Sequence, residues 1–184
     1  MRMMAVQFTS SRNVDIVRET AERSRVMISG ELPIDWASRV TAGIARRGGS
    51  IVRGHARHES AEGWDVQLEV ASDITIASDA IEAWRTGDAV ELPSEPPRIA
   101  HFALTARDDD KPTRLELEAT DTVGLLGRCL RSFAMMGVFP VAFEIDTRGT
   151  RVHDVFELRG MGQDGMPEAT RSRLAKQLER MRDG

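Results

Sequence analysis

Gly48-Gly49-Ser50-Ile51-Val52-Arg53-Gly54-His55-Ala56 and Gly137-Val138-Phe139-Pro140-Val141-Ala142-Phe143-Glu144-Ile145, 89 residues further on, are the two stretches on which the fold turns. Each follows a run with helical spacing of apolar residues. Each leads into a hairpin and a second strand, Trp64-Asp65-Val66 in one case and His153-Asp154-Val155 in the other. Asp154 again lies 89 residues after Asp65, so the two hairpins are expected to be of equal length. Few letters are shared, but the order of elements is the same twice, and two copies of one unit is the economical reading.

The later copy is the clearer. Leu115, Leu117 and Ala119 alternate with Glu116 and Glu118, the period of a half-buried strand. A turn at 121–124 leads into Leu126, Cys129, Leu130 and Phe133, spaced along one helix face and stopped by Gly137. Strands are expected over about 139–147 and 151–159, joined at Arg148-Gly149. A Gly-rich loop from Gly160 to Gly165 then precedes a helix carrying Leu174, Leu178 and Met181, with Pro167 suited to its first turn. This gives βαββα with no closing strand after it.

The earlier copy begins with a strand at Val26 and Ile28 and a helix carrying Ala37, Val40 and Ile44. Strands at about 50–58 and 64–71 and a short helix near 78–86 follow. Leu92 to Pro97 is a loop by its prolines. Residues 98–107, with Ile99, Phe102 and Leu104, look like the closing strand of this unit, and 108–112 like the linker between units. Under the constant offset, Val66, Leu68 and Val70 point to the face opposite Phe156 and Leu158. Either a one-residue slip intervenes or both sheet faces are partly covered. Ahead of both copies, 3–8 is strand-like and 13–24 has the look of a helix, and 3–8 is a candidate to complete the second sheet.

The expected fold class is therefore α+β: two ferredoxin-like βαββαβ units with antiparallel sheets, at 24–107 and 113–184, preceded by an extension at 1–23. The units are expected to pair as a pseudo-dimer, by analogy with isologous dimers. An apolar content of 41% against 29% charged residues is that of a soluble globular chain, and a net charge of −4 argues against nucleic acid as the main partner. Arg171, Arg173, Lys176 and Arg180 are best explained as a solvated surface. The single cysteine, Cys129, excludes a disulfide framework, and no run suits a membrane span or a signal peptide. A cytoplasmic location is expected, with no membrane partner.

One loop carries chemistry. Asp121 or Thr122 can cap the helix that follows, whose free N–H groups favour an anion such as an α-carboxylate. Gly124 lets a ligand approach the backbone. A plain strand-to-helix turn explains the same residues. The stretch Thr113 to Leu126, with Thr147-Arg148-Gly149 and Asp154-Val155-Phe156 beyond it, resembles an ACT domain. In particular it is similar to the C-terminal ACT pair of the bifunctional PII uridylyltransferase/uridylyl-removing enzymes, which read glutamine in bacterial nitrogen metabolism. The resemblance covers 113–182 well and 24–107 weakly.

That resemblance implies allosteric regulation through amino-acid binding near an ACT–ACT interface, at Asp121, Thr122, Val123, Gly124, Leu125 and Leu126. Pro140 and Phe143 depart from the family's small or aliphatic residues and are expected to modify the pocket. By the same offset the equivalent Asp and Gly positions of the first unit hold Leu32 and Asp35, beside Pro33 and Trp36, a bulky loop unsuited to a carboxylate.

The other chemistry-bearing residues do not combine into a site. His55 and His58 point to opposite faces of a strand. His153-Asp154 spells the dyad of metal phosphohydrolases, but the accompanying helices are missing, and a strand-end pair is the better explanation. Gly160 to Gly165 lacks the Lys-Ser/Thr of a phosphate loop. No nucleophile, base and orienting group occur together. The chain is expected to be a non-enzymatic sensor of a small molecule, an amino acid above all, with no cofactor and no metal. It would signal through a protein partner or through assembly, homodimers included. The alternative is a ligand-free interaction module built on the same pair of units.

Overall fold

The computed structural model describes residues 8–11, 13–59, 62–87, 97–106, 108 and 110–183. The chain is mixed α+β; its described residues form one antiparallel sheet of nine strands and four helices, compatible with two ferredoxin-like units. The strands are β1 (Phe8–Ser11), β2 (Val14–Arg18), β3 (Arg23–Gly30), β4 (Ser50–Glu59), β5 (Gly63–Ala71), β6 (His101–Thr105), β7 (Thr113–Thr120), β8 (Val138–Arg148) and β9 (Arg151–Gly160). The helices are α1 (Trp36–Arg46), α2 (Ser78–Thr86), α3 (Leu125–Met135) and α4 (Glu168–Asp183). Across the sheet the order is β1-β2-β3-β5-β4-β8-β9-β7-β6.

The expected repeat is visible in the helix ends. Gly48 and Gly137 both take left-handed backbone (φ 75° and 71°) just past α1 and α3, where only glycine is unstrained. The β4–β8 ladder joins the repeats at mid-sheet. In it His55 pairs with Glu144, the residue 89 positions on, so the repeats meet antiparallel about that pair. α1 packs on α3 beside this ladder.

The hairpins differ in length. Glu59 pairs with Gly63 across three residues, whereas Arg148 pairs with Arg151 across two. The one-residue slip left open by the pattern is therefore real. β5 corresponds to β9 at an offset of 88, so Val66, Leu68 and Val70 match Asp154, Phe156 and Leu158, all of them buried. A register irregularity near the start of each hairpin, between Ile51 and Arg53 and between Pro140 and Ala142, recurs at matching positions. Pro140 sits there, where a missing N–H does least harm.

Three expectations are corrected. Residues 13–24 are not a helix: Val14 and Ile16 are buried with Asp15 between them, a two-residue period, and they form β2 and the start of β3. The strand near 98–107 does not close the first unit; β6 pairs with β7 of the second, Phe102 opposite Leu117. The acidic stretch at 108–112 accordingly lies between β6 and β7 rather than between the units, with Lys111 N–H bonded to Asp108 O. Residues 3–7 are outside the described residues, but β6 already flanks β7, and β1 from Phe8 pairs with β2 at the other end of the sheet. Each repeat thus runs ββαββα, its flanking strand ahead of it in sequence.

The core is one continuous cluster. In the second repeat Phe133 of α3 meets Phe156 of β9 edge-on at 5.8 Å, with Leu174, Leu178 and Met181 of α4 buried in the same cluster. Each such side chain contributes roughly 1.5–3 kcal/mol by leaving water. The other face of the central strands is polar, Arg53, His55, Arg57 and Glu144 all being exposed.

Candidate functional site

The loop from Asp121 to Gly124 is fixed by its backbone. Asp121 N–H donates to Thr150 O at 2.9 Å, Leu125 N–H to Thr122 O at 2.9 Å, and Arg128 N–H to Gly124 O at 2.9 Å. The Arg128 guanidinium folds back over the loop, donating to Thr122 Oγ1 at 2.8 Å and Val123 O at 3.4 Å. Gly124 is the N-cap of α3, at φ 78°, ψ 8°, with no side-chain cap. The expected capping by Asp121 or Thr122 is not made, because the left-handed turn at Gly124 brings the chain into the helix by itself. The first-turn N–H groups of α3 therefore keep no intrahelical acceptor.

This loop meets the other repeat at a cavity of about 30 Å³. Asp121, Thr122, Gly124, Leu125 and Leu126 border it, while Val123 does not and is 58% exposed. From the first repeat come the end of α1 and the start of β4, chiefly Thr41, Ile44, Ser50 and Ile51. β8 and β9 supply the floor with Ile145, Val152 and Asp154. The volume suits one or two waters; a larger guest enters only as the walls part.

Pro140 and Phe143 do not border this cavity. Phe143 packs on the far side of the local symmetry, stacked on Trp36 at 6.1 Å between centroids, and Trp36 meets Trp64 edge-on at 5.0 Å. Trp36 and Trp64 stand where Leu125 and Val152 stand at the cavity, and Phe143 where β4 has Gly54. The related space is therefore filled. Trp36 is 1% exposed, and even its indole N–H is left without a partner. Asp35 holds Arg39 (2.7 and 2.8 Å) rather than facing a ligand.

The residue that sequence reasoning passed over is Asp154. It is 3% exposed, and its Oδ1 has no hydrogen-bond partner. Burial, seconded by the nearby charges of Asp121 and Asp146 and only partly offset by the Asp146 backbone amide, pushes its carboxyl up to about 8. Burial also raises Asp121 above the usual carboxylate range. The Cys129 thiol is raised by burial and then by the charge of Asp154, which makes it a poor nucleophile. The signal for Asp154 was a carboxylate in an otherwise apolar alternation, hidden by the slip at the hairpin. Thr41 and Ser50 come from the other repeat, and no motif marks them.

No family model matches the chain. It is similar to a bifunctional uridylyltransferase/uridylyl-removing enzyme of Vibrio campbellii. The two are 32% identical over 89 residues, which is 45% of this chain and 10% of that enzyme. The chain thus matches about a tenth of that relative's length. No solved structure matches. No helix among the described residues is long and apolar enough to cross a membrane, and none of their His, Cys, Asp and Glu side chains group to hold a metal ion.

Proposed function

We propose that the chain is a non-catalytic, ACT-like regulatory protein that senses a small molecule, an amino acid, where its two repeats meet. The observation that carries this is the cavity between the Asp121–Leu126 loop of one repeat and the α1–β4 corner of the other. A guest held by both repeats favours one arrangement of the pseudo-twofold pair over another. Such a difference, typically ~1–3 kcal/mol, is what a partner or an assembly would read. The partial similarity to an enzyme named for uridylyl transfer and removal accords with the resemblance from which this reading, and its link to nitrogen metabolism, is taken. Its catalytic activities are not proposed for this chain.

Thermal unfolding of the full chain with each of the twenty amino acids tests the proposal. A ligand at a hundred times its Kd adds about 2.7 kcal/mol of stability, and Gly124→Trp should abolish the shift. The small size of the cavity favours a second reading, a ligand-free interaction module. No shift with any amino acid, together with a co-purifying protein partner, would select it.

A further inference from the structure

We propose that Asp154 is the receptor for a primary ammonium group, so that the cavity between the repeats takes amines, amino acids among them, and rejects ligands whose nitrogen is blocked. This rests on the sensing reading above and adds to it the chemical class of the guest. The fold itself has no need of the carboxyl, since Val66 fills the same place in the other repeat. The Asp146 backbone amide serves one side of the carboxyl, but Oδ1 is buried beside the cavity without a partner, a costly arrangement that a donor in the cavity would relieve.

The groups that face Asp154 point the same way. Asp121 comes from the loop before α3, and Asp146 from the neighbouring β8, where Arg148 (2.8 Å) and more distantly Arg53 (4.0 Å) share its charge. From α3 comes Cys129; the neighbouring Arg128 turns its terminal guanidinium nitrogens to Thr122 and Val123, and its buried Nε has no partner. Across the cavity Thr41 of α1 borders the same space, its hydroxyl donating to Ala37 O at 2.7 Å and keeping acceptor capacity. No cation is among the cavity's bordering residues. Oxygen acceptors without a resident cation match an –NH3+ group with its three donors. Leu126 and Gly127, in the first turn of α3, border the same space, and the free amides of a helix N-terminus suit the carboxylate end of a zwitterion. While the cavity is empty Asp154 keeps its proton at neutral pH; a bound ammonium turns it into a carboxylate and one proton leaves to solvent.

Titration calorimetry on the full chain tests this, with the twenty amino acids and their N-acetyl forms in two buffers of different ionisation enthalpy near pH ~6.5. At least one free amino acid should bind with release of close to one proton. Its N-acetyl form, and the Asp154→Asn variant with the free form, should each lose roughly tenfold or more in affinity, and the variant should lose the proton release. If Asp154→Asn does not fold, Asp154→Val, which borrows the residue of the first repeat, takes its place. Equal binding of free and acetylated forms, or unchanged affinity and proton release in the variant, overturns the ammonium proposal and leaves sensing intact. Failure of every amino acid to bind the wild-type chain overturns both.

Discussion

Trp36 and Leu125 open equivalent helices, 89 residues apart, and each lies where its own loop meets the other repeat. Around Trp36 the chain has placed Trp64 and Phe143; at the matching positions around Leu125 it has Val152 and Gly54. One corner is solid, with two stacked or edge-on ring contacts. The other keeps a cavity with a buried carboxyl on its wall. The same backbone plan thus yields a packed joint on one side and one with a cavity on the other, and side-chain volume decides which.

The largest expected effect lies on the solid side. Trp36→Ala removes a side chain that is 1% exposed and wedged between Trp64 and Phe143, so urea unfolding should show a loss of about 3–5 kcal/mol. A loss below about 1 kcal/mol would mean the corner is not packed as described, and the contrast between the two sides would fall.

On the cavity side the expected sign is opposite. The folded chain holds the Asp154 carboxyl near 8, above its ordinary value of 3.8, so it binds a proton that the unfolded chain gives up. The cost is absent below about pH 4, grows as pH rises, and is complete above about pH 8. Asp154→Val should therefore stabilise the chain by something on the order of a few kcal/mol at alkaline pH, with most of that gain gone near pH ~4. Urea titrations at both ends of the range would check it. A pH-independent difference would show that packing rather than charge separates Asp154 from Val66.

These two residues also show what the sequence could and could not reveal. Element order was legible because Leu115 to Ala119 and Leu126 to Phe133 carry unmistakable periods, and because Gly48 and Gly137 mark equivalent helix ends. The partner of β6 was not: Phe102 and Leu104 alternate the same way whichever sheet they join, and the choice is made by tertiary packing. Asn13 to Ser24 does not read as strand from its letters, because the five residues of β2 offer only Val14 and Ile16 as the buried alternation. At the site, the Asp121–Leu126 loop was visible as a local motif. Asp154 reads with His153 as a strand-end pair because the helices of a metal phosphohydrolase are missing, and the constant offset sets it against Asp65; the extra hairpin residue of the first repeat makes Val66 its counterpart instead. Trp36 was recognised as an obstruction, but its fit against Phe143 depends on a contact between repeats that no local pattern encodes.

The two N-caps allow a smaller contrast. Gly124 sits at φ 78°, so Gly124→Ala should cost about 1–2 kcal/mol through the left-handed backbone alone. Asp35, at φ −103°, is in ordinary territory, and Asp35→Gly should cost only about 0.5–1 kcal/mol through chain entropy and the loss of its Arg39 contact. Thermal melts of the two single variants would rank them, and equal losses would remove the special standing of Gly124.

The smallest effect is expected at Val123, and it separates the loop as a motif from the loop as a wall. Val123 belongs to the same run of residues as Gly124 and Leu125, but its side chain is 58% exposed and does not border the cavity. Its carbonyl, which accepts from Arg128, is backbone and survives any substitution. Val123→Ser should therefore change stability by no more than about 0.5 kcal/mol and leave amino-acid affinity where it was. Thr122 is the useful contrast, because its hydroxyl holds the Arg128 guanidinium over the loop. A loss of affinity at Val123 as large as that at Thr122 would place the guest outside the cavity, on the exposed crest of the loop, and the asymmetry between Leu125 and Trp36 would then no longer explain where the chain binds.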